Sequence, residues 1–159
     1  MKKTALYAGS FDPFTVGHMD IVKRALRIFD EVTILIAVSP SKKNFLSLEE
    51  RKMVIEKTFE GDKRVSVDSW GGLIVDYAKD KGMTTLVRGL RPTGDFEIEF
   101  QMSSMNRKLN PEIETVFLTT GENLYYVSSS LVKEIFHHGG DIKEFVPDVV
   151  YNELKRIKG

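Results

Sequence analysis

Five short apolar, β-rich runs, separated by longer stretches of helical period, restrict the folds open to this chain more than any other feature. The runs are Ala5–Ala8, Val32–Val38, Arg64–Val67, Thr85–Arg88 and Thr115–Thr119. The run at 32–38 is apolar nearly throughout, as a strand covered on both faces is. Between the first two runs, Ile21, Val22, Ala25, Leu26 and Phe29 share one stripe of a helix. Ser47-Leu48-Glu49-Glu50 reads as a capping box opening a second helix. Leu73, Ile74, Tyr77 and Ala78 repeat the stripe in a third, which Gly82 closes. Right-handed crossovers then lead to an α/β fold, a doubly wound sheet of five parallel strands. Ser128–His137 reads as a helix after the fifth strand, and Pro147 suits the first turn of a last helix through about Ile157. No repeat, low-complexity tract or linker composition interrupts the pattern, so residues 1–159 are expected to form one domain.

Composition narrows the function classes. Lys plus Arg and Asp plus Glu are 23 each and cancel, which argues against a general nucleic-acid coat or an acidic-membrane binder. Cysteine is absent, removing disulfides, thiolate chemistry and Cys-based metal sites. Uncharged stretches such as Val32–Ser41 run to ten residues, well short of the ~20 a membrane span needs. The apolar stretch after Lys2-Lys3 is broken by Gly9, Ser10 and Asp12, unlike a signal peptide. A soluble, cytoplasmic protein is expected, without a nucleic-acid or membrane partner.

The segment Asp95–Leu109 is apolar on two sides, with Phe96 and Phe100 on one face and Ile98, Met102, Met105 and Leu109 on the other. Such a helix is packed on two sides. Either it is sandwiched inside its own domain or its second face meets another subunit.

In an open α/β sheet, ligands bind beyond the carboxyl ends of the strands, where the winding reverses. The residues after each strand are therefore the informative ones. Gly9-Ser10-Phe11-Asp12-Pro13-Phe14-Thr15-Val16-Gly17-His18 follows the first, with Gly17-His18 at a helix start that favours an anion. A lone histidine there is equally a surface or capping residue. Lys42 and Lys43 follow the second strand, either solvated or turned into the crevice. Arg88-Gly89-Leu90-Arg91 at the end of the fourth is a forked donor set suited to phosphate oxygens. Asp95 and Glu99 come next, either to hold an arginine or to receive a sugar hydroxyl. Ser128-Ser129-Ser130 opens a helix; one serine suffices to cap it, and three permit phosphate contact as well. His18, Lys42, Arg88, Arg91 and the serine run thus lie beyond four strand ends, which points to a polyphosphate site. His137-His138, at a helix end, reads as a terminus-stabilising or solvent-facing pair. Phosphate-loop, dinucleotide-fingerprint, nucleophile-elbow and HExxH motifs are missing.

With these residues placed, the sequence closely resembles the bacterial phosphopantetheine adenylyltransferases, of the nucleotidyltransferase superfamily with a (His/Thr)-x-Gly-His motif. That motif is Thr15-Val16-Gly17-His18. The likeness continues through Ser41-Lys42-Lys43, Leu48-Glu49-Glu50-Arg51, Arg88-Gly89-Leu90-Arg91, Asp95-Phe96-Glu97, Met105-Asn106-Arg107, Ser128-Ser129-Ser130 with Val132-Lys133-Glu134, and Val146-Pro147. It implies a Rossmann-like nucleotidyltransferase fold with C-terminal helices. The implied reaction joins ATP and 4′-phosphopantetheine, with Mg²⁺, to give dephospho-coenzyme A and pyrophosphate. Ser10, Lys42, Ile74 and Arg88 would contact the pantetheine substrate. Ser10, Phe11, His18, Gly89, Leu90, Arg91, Glu99 and Leu124, Tyr125, Tyr126, Val127, Ser128, Ser129 and Ser130 would line the ATP site. His18, Lys42 and Arg91 would be catalytic, His18 as main transition-state stabiliser, and no protein ligand is assigned to the metal. Homohexamers and feedback inhibition by coenzyme A are implied by the same resemblance.

Some positions depart from the family pattern. Ser10 stands where many members have threonine, which keeps the hydroxyl. Ile98 and Leu124 occupy positions often aromatic in relatives, which would weaken adenine stacking. Pro92-Thr93-Gly94 replaces a commoner stretch and would stiffen the loop after Arg91. Rival readings are a sister transferase acting on nicotinate mononucleotide or using CTP, and a nucleotide-binding module without catalysis.

Overall fold

The computed structural model describes residues 1–92 and 94–158; Thr93, within the Pro92–Gly94 departure, and Gly159 lie outside the described residues. Five strands form one parallel sheet: β1 (Thr4–Gly9), β2 (Glu31–Ala37), β3 (Val65–Trp70), β4 (Thr85–Leu90) and β5 (Glu114–Thr119). Their order is β3-β2-β1-β4-β5. The winding reverses between β1 and β4, where Leu6 pairs with Leu86 and Tyr7 with Val87.

Six helices surround the sheet: α1 (Val16–Ala25), α2 (Leu48–Thr58), α3 (Ile74–Asp80), α4 (Asp95–Leu109), α5 (Ser129–His137) and α6 (Asp148–Lys158). Alternate residues of each central strand feed opposite faces. Ala5, Tyr7, Ile34, Ile36 and Val87 face one side, packed by Ile21, Val22 and Ala25 of α1, Val54 and Ile55 of α2, Val132 of α5 and Val150 and Leu154 of α6. Leu6, Ala8, Leu35 and Leu86 face the other, packed by Val75, Tyr77 and Ala78 of α3. Each such fully buried aliphatic side chain contributes ~1.5–3 kcal/mol.

The predicted elements are present, with shifted ends. The Ser47 capping box forms, its hydroxyl accepting from Glu50 N while Glu50 Oε2 accepts from Ser47 N. Strand β3 continues to Trp70, three residues past the predicted Val67, through Asp68 and Ser69. Its backbone is held by pairing with β2 through Ala37↔Trp70, and an edge strand carries polar side chains without loss of that ladder. The stripe ending at Phe29 outlasts its helix: α1 stops at Ala25, and Phe29 packs from the following turn. Pro147 precedes α6, its carbonyl accepting from Tyr151 N.

Helix α4 departs most. It buries none of its side chains. Phe96, Ile98, Phe100, Met102, Met105 and Leu109 are 53–67% exposed, so the reading of a helix sandwiched inside its own domain is not met. The residues on its sheet side only edge the sheet, Phe96 stacking at 6.4 Å on Phe117.

Candidate active site

At the switch point a cavity of about 540 Å³ opens over the carboxyl ends of β1 and β4. Its floor is the chain leaving β1. Phe11 turns there with a left-handed φ of 49°, a conformation costly for a bulky residue and held only because its surroundings dictate it. Its ring is buried against Tyr7, Phe14 and His18. Asp12, also buried, accepts from Phe45 N at 2.7 Å and Leu46 N at 2.8 Å. This ties the β1 exit to the loop that carries Lys42.

Helix α1 begins at the cavity wall with a reciprocal cap. Thr15 Oγ1 accepts from His18 N, and His18 Nδ1 accepts from Thr15 N at 3.0 Å. Accepting at Nδ1 requires the lone pair there, so the ring proton of neutral His18 sits on Nε2. The residue is half-buried and lines the cavity, its ring lying among aromatic rings. Burial, reinforced by the Arg88 and Arg91 charges, pushes its pKa down to about 3. The imidazole is therefore a fixed, uncharged donor at neutral pH. It takes the capping role its sequence position allowed, and it lines the cavity as well.

The two arginines are pre-aimed. Arg88 donates to Glu99 through Nε at 2.8 Å and Nη2 at 2.5 Å, and to Ala8 O through Nη1 at 2.6 Å. Arg91 Nε donates to Asp95 Oδ2 at 2.9 Å. Asp95 and Glu99 each hold an arginine. At Gly89, between the two arginines, a Cβ would lie 3.2 Å from the Ile21 side chain, a tight contact that Ile21 would have to relieve by shifting.

Helix α5 presents its N-terminus to the same space. Ser128 caps it, accepting from Leu131 N at 3.1 Å. Ser129 Oγ donates to Pro13 O at 2.8 Å, joining α5 to the β1–α1 loop and leaving Ser130 on the cavity wall.

Ser10, Phe11, His18, Lys42, Arg88, Gly89, Arg91, Glu99, Val127 and Ser128–Ser130 all line this one cavity. Leu90, Leu124, Tyr125 and Tyr126 do not; the two tyrosines are half-exposed and pack edge-to-face on each other, Tyr126 also against Phe145. Ile74 lines a second, smaller hollow of about 260 Å³ that shares Arg88 and Glu99 with the first. Ile98 lies on exposed α4, outside both. The cavity also contains Tyr7, Asn44, Thr120 and Lys133, which sequence reasoning did not assign. Lys133, one helical turn beyond Ser129–Ser130, was within reach of spacing; the other three had no signal. Among the described residues no group of three or more His, Cys, Asp or Glu is placed to hold a metal ion. His137 and His138 lie apart from the cavity, His138 beside Glu134 at 3.1 Å and His137 against the Phe45 ring.

A crevice at the switch point of a parallel sheet, with two helix N-termini, two anchored guanidiniums and a neutral imidazole, defines a nucleotide-transferring α/β protein. A cytidylyltransferase-like family model matches residues 6–135. A solved structure from Vibrio parahaemolyticus, provisionally named a nicotinate-nucleotide adenylyltransferase, superposes with a TM-score of 0.70 over 98% of this chain and 99% of its own; at 16% identity it shows the fold alone. Phosphopantetheine adenylyltransferase from Thermotoga neapolitana is 51% identical over 158 residues, covering 97% of this chain and 98% of that one. Those from Syntrophus aciditrophicus and Alkaliphilus metalliredigens are 47% and 46% identical, over 98% and 97% of this chain and 94% and 98% of theirs. The chain belongs to the phosphopantetheine adenylyltransferase family.

Proposed function

We propose that this chain transfers the adenylyl group of ATP to 4′-phosphopantetheine, giving dephospho-coenzyme A and pyrophosphate in coenzyme A biosynthesis. The observation that carries the reading is the single cavity shared by His18, Lys42, Arg88, Arg91 and the opening of α5, in a chain alike over its full length to relatives named for that reaction.

The acceptor's phosphate oxygen attacks the α-phosphorus of ATP in line, and pyrophosphate departs opposite. Charge grows on the equatorial and leaving oxygens, so fixed donors aimed at them lower the barrier. His18 Nε2–H is one such donor, neutral and held by the α1 cap. Lys42 supplies a mobile cation to the α-phosphate, while Arg91 and the Ser128–Ser130 turn hold the β and γ groups. No general base is needed, because a phosphate monoester with a second pKa of ~6 is already a dianion nucleophile. Mg²⁺ is proposed to enter as part of the nucleotide substrate, held mainly by phosphate oxygens as this ion commonly is. Asp95 and Glu99 are engaged by arginines, which fits an ion carried in by its substrate.

Ser10, Lys42 and Arg88 are assigned to the acceptor phosphate. Ile74 is assigned to its arm, for which the smaller hollow is suitably apolar, lined by Leu6, Ala37, Leu73 and Met102. Ser10, Phe11, Gly89, Leu90, Glu99 and the Leu124–Val127 segment are assigned to ATP. The exposed apolar face of α4 supports assembly into a homohexamer. Coenzyme A, which contains the product's pantetheine arm, is proposed as a feedback ligand of the same site. No described helix is long and apolar enough to cross a membrane, and we assign the reaction to the cytoplasm. Incubating the purified protein with ATP, Mg²⁺ and 4′-phosphopantetheine should yield dephospho-coenzyme A and pyrophosphate. Product formed instead from nicotinate mononucleotide, or with CTP, or ATP binding without pyrophosphate release, would sink the assignment.

A further inference from the structure

Among the described residues Arg51 is the largest fully buried side chain, 1% exposed. A buried cation is ordinarily neutralised by a carboxylate, because an unpaired charge inside a protein is costly. Arg51 forms no ion pair with any described residue. Its guanidinium donates only to main-chain oxygens, Nη1 to Ser10 O at 2.9 Å and Nε to Ser47 O at 3.4 Å. Asp12, also buried, makes no ion pair with Arg51 among the described residues; its two oxygens accept from the Phe45 and Leu46 amides. Ser10 is part of the cavity wall, so a cation with no carboxylate in contact sits directly behind the wall, one carbonyl away.

We propose that Arg51 is a buried counter-charge for the phosphates of the bound nucleotide, its missing carboxylate being supplied by the ligand across the Ser10 wall. The inference rests on the reading of the cavity as a triphosphate site. In a low-dielectric wall a charge acts on a ligand with far less attenuation than across water, and salt does not screen it as it screens Lys42 or Lys43. Arg51 touches no substrate; it sets the potential where the phosphates lie and, through Ser10 O and Ser47 O, spans the two loops that face them. Methionine of similar length would fill the space and remove the charge. Lysine would keep the charge but lose the fork that reaches both carbonyls.

Affinities of the parent, Arg51→Met and Arg51→Lys for inorganic pyrophosphate, ATP and adenosine, measured by calorimetric titration, test this. Arg51→Met should weaken pyrophosphate and ATP about tenfold or more and adenosine less than twofold. Arg51→Lys should stay within about threefold of the parent for all three. Equal loss for adenosine and ATP, or a lysine variant as poor as the methionine one, overturns the proposal in favour of a purely structural role. If Arg51→Met does not fold, the lysine variant decides: pyrophosphate binding within threefold supports the inference, and a tenfold loss overturns it. A parent that binds neither ATP nor pyrophosphate overturns the reading of the site itself, and the inference with it.

Discussion

His18 shows how one side chain serves stability and chemistry through its two nitrogens. Nδ1 closes the α1 cap and thereby reserves the proton for Nε2, the atom proposed to meet a phosphate oxygen. His18→Ala should lower kcat by about 10²–10³. The same change removes a cap and should cost ~0.5–2 kcal/mol in denaturant unfolding; a variant that loses stability but keeps its rate would take His18 out of the mechanism. The depressed pKa adds a pH signature. Unfolded chains bind a proton at His18 near the ordinary 6.5, while the folded chain does so only at about 3. Stability should therefore fall as pH drops through that window, and His18→Gln should flatten the fall when unfolding midpoints at pH 7 and pH 5 are compared. His18, Arg88, Arg91 and the serine run were legible because each follows a strand end or opens a helix in its own stretch of chain. Asp12 and Arg51 were not. Apart from the Arg51 contact to Ser47 O four residues back, their partners are backbone atoms 33, 34 and 41 residues away, and no local pattern encodes that meeting.

Between elements, the loops are held by a few polar contacts whose loss is predictable. Asp12→Ala leaves the Phe45 and Leu46 amides without their acceptor and should cost ~2–4 kcal/mol. It should also slow turnover, because the loop bearing Lys42 loses its anchor. Urea unfolding and steady-state rates check both, and an unchanged unfolding midpoint would mean that the clasp contributes nothing. Element ends were the least legible feature. Strand β3 runs on through Asp68 and Ser69 because β2 lies alongside, a fact of pairing rather than of side-chain type. Helix α1 stops at Ala25 although its apolar stripe continues, because Phe29 reaches the core equally well from a turn.

For the whole molecule, the exposed face of α4 is the main unresolved surface of the isolated chain. Six large apolar side chains along one helix exceed what a lone soluble domain ordinarily leaves open. Ile98→Glu with Met105→Glu should shift the protein toward an 18.1 kDa species in sedimentation while leaving its circular dichroism unchanged, since neither residue is packed in the single chain. A parent already sedimenting as the single chain would remove the case for assembly. The two-sided pattern of α4 was visible in the residues; that neither side is covered by the chain's own core was not. By itself, the amino-acid sequence determined the alternation of strands and helices, the parallel winding and the polar residue types beyond four strand ends, because periodicity, caps and glycines act within a few residues. Only the tertiary structure decided which carboxylates hold Arg88 and Arg91, which nitrogen of His18 is free, and that Arg51 lies buried without a carboxylate in contact among the described residues. Those outcomes depend on contacts between distant segments, and burial and electrostatics take their values only once the segments have met.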